Sequence, residues 1–106
     1  MFSAADHARN VAMNQAVIGV KLARPGRSLY WARQLHYHVL IIEEPGAVDH
    51  CRIAFSPEIL EAEQDGSLVR ILRAIRFLAT VRSGKTLLVH RDGNRMRFDL
   101  LEQLPG

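Results

Sequence analysis

From Ser67 to Arg82 the chain carries aliphatic residues at helical spacing, and any fold it adopts must bury that stripe. Leu68, Ile71, Leu72, Ile75, Leu78 and Ala79 recur every three or four positions. Arg70, Arg73, Arg76 and Thr80 fall on the opposite side. Asp65-Gly66 breaks the chain, and Ser67 is placed to cap the free amides of the first turn. Ser83-Gly84 supplies the stop, and Arg82 and Lys85 suit the negative end of the helix dipole. Ala74, Phe77 and Val81 widen the apolar arc beyond what one sheet contact needs. A second body is therefore expected over Phe77 and Val81, either an in-chain helix or another copy of the chain. Phe77 and Val81 are the candidate oligomer interface.

The remaining segments read mostly as strands and turns. Ser3 caps a short N-terminal helix through about Asn14, with an alanine-rich face. The β-branched residues and Gly19 of residues 16–23 favour a strand, and a helix continuing to Leu22 is the competing reading. Arg24-Pro25-Gly26-Arg27 is a turn signal, after which Ser28 to Arg33 is expected to return as the second arm of a hairpin. His36 to Glu44 is the clearest strand, turned by Pro45-Gly46 and answered by His50 to Phe55. In that pairing His38, Leu40 and Ile42 share the core face with Cys51, Ile53 and Phe55. Val39, Ile41, Glu43, His50 and Arg52 point the other way.

Ser56-Pro57-Glu58 starts a short acidic helix, with Ile59 and Leu60 inward and Glu61 and Glu63 outward. Thr86 to Arg91 and Asn94 to Leu101 form a hairpin around Asp92-Gly93. Leu87, Val89, Met96, Phe98 and Leu100 are its apolar face, and His90, Arg95 and Arg97 its polar one. These elements predict an α+β fold over residues 1–106 as a single domain. Antiparallel β-hairpins form one sheet, the amphipathic helix of residues 67–82 packs across it, and a short helix precedes them.

Composition enters where charge is concerned. The chain of 106 residues has a net charge of +3, but the charge is blocked along it. Residues 1–42 carry +4, residues 43–65 carry −6, residues 66–98 carry +7 and the tail carries −2. Mutual neutralisation, within one chain or between copies, uses such blocks; so does an acidic partner meeting an uncovered basic patch. Arg70, Arg73 and Arg76 on the helix, with Arg95 and Arg97 on the last hairpin, are the candidate anion- or partner-binding residues. A planar guanidinium grips carboxylate or phosphate with two bonds at once. Cys51 is alone, which excludes an internal disulfide framework and favours a reducing compartment. With no apolar run of membrane-spanning length and no signal-peptide pattern, the expected address is the cytoplasm, with no membrane partner.

The chemistry-bearing residues form no complete catalytic set. His36-x-His38-x4-Glu43 resembles the first metal-binding motif of the cupin family, and His90-x3-Asn94 resembles the end of the second. The glycines and proline of the second motif are replaced by Ala79, Lys85 and Leu87, and an amphipathic segment stands between the motifs. His90-Arg91-Asp92 repeats the order of the protein-kinase catalytic triplet without its downstream spacing or a glycine-rich loop. The resulting expectation is a non-enzymatic, homodimeric binding or regulatory module with no cofactor and no metal. Its partner would be an acidic protein or nucleic acid. The alternative is a small ligand-binding or metal-dependent enzyme using His36, His38, Glu43 and His50.

Overall fold

The computed structural model describes residues 4–23, 25–43, 46, 50–62, 68, 69, 73 and 84–105. Among these residues the helices α1 (Ala4–Ala23) and α2 (Pro57–Ala62) accompany the strands β1 (Leu29–Gln34), β2 (Tyr37–Ile42), β3 (Cys51–Phe55), β4 (Thr86–Asp92) and β5 (Arg95–Leu101). The strands form one sheet in the order β1-β2-β3-β4-β5. Neighbours pair antiparallel except β3 and β4, which run parallel. A parallel pair needs a crossover of a dozen or more residues, and residues 56–85 provide it. The fold is therefore α+β with a mixed sheet, its two antiparallel units joined side by side through the parallel β3–β4 pair.

The β2–β3 register places His38 opposite Phe55, Leu40 opposite Ile53 and Ile42 opposite Cys51. That is the pairing expected from the period-two pattern. Leu40, Ile42, Ile53 and Phe55 are fully buried, each contributing roughly 1.5–3 kcal/mol by leaving water. Ala12, Ala16 and Val20 of α1, Ile59 and Leu60 of α2, and Leu68 close over this face. Trp31 adds an aromatic contact to Phe55, with ring centroids 5.8 Å apart and planes tilted by 49°. Leu68, Val69 and Arg73 are helical, as the sequence predicts, and the other positions of the helix expected over residues 67–82 lie outside the described residues.

Two expectations are corrected. Residues 16–23 are not a strand; α1 runs unbroken from Ala4 to Ala23. Ala12, Ala16 and Val20 are fully buried one turn apart, so burial along a helical line outweighs the β propensity of Val17, Ile18 and Val20. Ile18 and Leu22 consequently face out, at 51% and 56% exposure. The segment expected to pair with residues 16–23 instead pairs with β2, from Leu29–Ile42 to Gln34–Tyr37. Leu35 and His36 make the two-residue turn of that hairpin. Leu35 holds φ at 57°, a left-handed conformation that costs a branched L-residue roughly 1–2 kcal/mol.

The opposite face of the sheet is also closed. Tyr37, Val39, Ile41, Ala54 and Leu88 are buried there, with Ala32, Leu101 and Leu104 packed against them. No helix among the described residues is long and apolar enough to cross a membrane.

Candidate functional site

The β4–β5 hairpin outruns its neighbour. Pairing of β3 with β4 ends at Phe55–Val89, while pairing of β4 with β5 continues to Asp92–Arg95. The last three residue pairs thus stand past β3 as a two-stranded ribbon, a reach of roughly 10 Å at the rise of a strand. Gly93 and Asn94 form its turn, one position beyond the Asp92-Gly93 expected. Gly93 has a φ of 64°, which suits the first position of a type II′ hairpin turn.

Side chains alternate along this ribbon. Arg95 and Arg97 share one face with His90 and Asp99, whereas Arg91 lies on the other beside Met96. Arg97 is held by two carboxylates: its Nη1 lies 3.3 Å from Asp92 Oδ2 and its Nε 3.2 Å from Asp99 Oδ2. His90 Nε2 donates to the same Asp99 oxygen at 2.6 Å. That hydrogen bond is the largest cause holding the Asp99 carboxyl below its ordinary value; desolvation opposes it, and the charge on Arg97 adds to it. Arg97 is therefore partly neutralised. Arg91 and Arg95 are exposed and have no ion-pair partner among the described residues.

The other expected contributors are only partly in view. Arg73 is helical and exposed. Arg70, Arg76, Phe77 and Val81 lie outside the described residues. Lys85 approaches Glu102 at 3.8 Å.

The histidines do not converge. His36 sits in the β1–β2 turn with its ring stacked on Tyr37 at 4.0 Å. His38 lies on the helix-bearing face opposite Arg33 and Phe55. Glu43 is five residues further along the chain, roughly 17 Å away at the rise of an extended strand. His50 precedes β3, its Nδ1 buried without a hydrogen-bond partner among the described residues. Among the described residues no group of three or more histidine, cysteine or acidic side chains is arranged to hold a metal ion. His90 and Asp99 have the geometry of a base and its orienting carboxylate. Ser56 lies beside β4, its amide donating to the Val89 carbonyl at 3.1 Å. Ser56 is buried, and its Oγ has no hydrogen-bond partner among the described residues.

Asp99 is the member of this cluster that the sequence pattern alone leaves out. The signal was present, because Arg95, Arg97 and Asp99 alternate along one strand and so share a face. No protein-family model matches the chain, and comparison with curated proteins and with solved structures gave no match.

Proposed function

We propose that the protein is a non-enzymatic binding module that meets an acidic partner, protein or nucleic acid, through guanidinium groups carried on the β4–β5 ribbon. The observation supporting this reading is the pair Arg91 and Arg95, exposed at the end of a projecting two-stranded arm and unpaired among the described residues. A ribbon of this width enters the major groove of a duplex, and its backbone pairing fixes where the charges stand. Arg97, clamped by Asp92 and Asp99, stiffens the arm more than it adds charge. Arg70, Arg73 and Arg76 extend the basic surface in this proposal. A second copy packed over Phe77 and Val81 would present two arms at once, gaining strength from the shared attachment.

The test is a salt titration of binding to labelled duplex DNA, single-stranded RNA and polyglutamate, with the wild type and an Arg91→Ser/Arg95→Ser double variant. For a duplex, each phosphate contact removed should flatten the slope of log affinity against log salt by about 0.9, hence by about 2 for this variant. Binding to polyglutamate alone assigns an acidic protein as the partner class. Equal affinity of variant and wild type for every probe would remove the ribbon from the interaction.

A further inference from the structure

On the sheet face opposite the helices, residues 102–104 leave the end of β5 and turn back across the sheet, bringing Leu104 onto the cluster of Tyr37, Val39, Ile41, Ala54 and Leu88. Between this segment and the β1–β2 turn lies an open recess of about 400 Å³. Its volume is within the range of clefts that take small ligands. Leu35 and Leu104 are its apolar lining residues, and Gln34 and Gln103 border it as well. Arg52 and Thr86, paired across β3 and β4, line it from the sheet.

The charge in the recess is what selects a ligand. Arg52 is half-buried, yet its guanidinium has no ion-pair or hydrogen-bond partner among the described residues. A partly desolvated guanidinium gains most from a carboxylate that accepts two parallel bonds. The other cation nearby, Lys85, is already matched with Glu102 at 3.8 Å, and Glu102 itself borders the recess. One uncompensated positive charge beside a carboxylate suits a monoanion and disfavours a phosphate dianion. The leucine walls suit a hydrocarbon body.

We propose that this recess binds a small monocarboxylate with an apolar body, its carboxylate held by Arg52 and its hydrocarbon part between Leu35 and Leu104. Gln34, Gln103 and Thr86, a residue largely buried in the sheet, orient it. Neither Arg91 nor Arg95 lines the recess, so it stands whether or not the arm bearing them binds anything.

Benzoate is the probe, titrated into the isotopically labelled full chain and followed by amide and arginine Nε–H resonances. Benzyl alcohol serves as the uncharged analogue and inorganic phosphate as the competing anion. Saturable shifts at Gln34, Leu35, Thr86 and Gln103 are expected with benzoate only. In Arg52→Gln the affinity should fall at least about tenfold, the usual consequence of losing a charged hydrogen-bond pair. Gln103→Glu, an exposed change that leaves the sheet intact, should weaken benzoate in the same direction by placing a second carboxylate at the rim. It keeps the proposal testable if Arg52→Gln does not fold. Absence of saturation, equal binding of benzyl alcohol or phosphate, or undiminished affinity in either variant would overturn the assignment.

Discussion

At the scale of single residues, the clearest electrostatic commitment is made by His38. Its imidazole is partly buried on the helix-bearing face, and that burial is the main reason its pKa lies below the ordinary histidine value. The charges of Arg33 and Arg9 push the same way, and Glu61 opposes them. Arg9 is itself tied to Asp6 within α1. The unfolded chain therefore takes up a proton more readily than the folded one. Stability should be complete above the unfolded value of 6.5 and should decline as pH falls toward and through the lower folded value. Urea unfolding at about pH 7.5 and about pH 5 measures the decline, and His38→Gln should reduce it. The difference between the two proteins isolates this side chain from the other histidines. An identical pH dependence would place the acid sensitivity elsewhere; Asp99, whose carboxyl is lowered from an unfolded value of 3.8, acts only at more acid pH than this comparison covers.

At the scale of elements, α1 separates what local pattern encodes from what packing decides. Residues 16–23 hold enough β-branched side chains to favour a strand in isolation, but Ala12, Ala16 and Val20 fit under the molecule as one helical line. Small side chains at those positions let α1 lie close to its neighbour α2. Ala16→Leu should therefore overfill the contact and cost about 1–3 kcal/mol, visible as a lower urea midpoint with an unchanged slope. A neutral effect would mean that α1 is loosely seated. The β2–β3 register was legible because alternation has a period of two and one face is wholly apolar. The start of α2 was legible because Ser56-Pro57 begins a helix, and Ile59 and Leu60 sit on its buried side as expected. The parallel meeting of β3 and β4 was not, since nothing local in either strand specifies which neighbour a crossover delivers. The same holds for the Arg52 recess. Alternation points Arg52 away from the core, but only the path of residues 102–104 gives it walls. The shared face of Arg95 and Arg97 was legible, whereas the two carboxylates that hold Arg97 emerge from the hairpin register.

At the scale of the whole molecule, the decisive feature is a sheet with both faces buried. Val39 and Ala54, on the side away from the helices, are as fully excluded from water as Leu40 and Phe55 on the other. A one-sided sheet would instead show polar residues alternating through β2, and β2 reads Tyr37-His-Val-Leu-Ile-Ile42. The second face thus needs a cover, and the C-terminal segment contributes to it through Leu104, packed on that cluster and half-buried. Removing most of that side chain in Leu104→Ala should cost about 1 kcal/mol, in keeping with partial burial of a leucine. Leu104→Asp should cost more, because it sets a carboxylate against the apolar surface of Tyr37, Val39 and Ile41. Chemical unfolding of the two variants measures the order. If both match the wild type, the tail lies on the sheet without stabilising it. An apolar wall of the Arg52 recess would then have to be assigned to other residues.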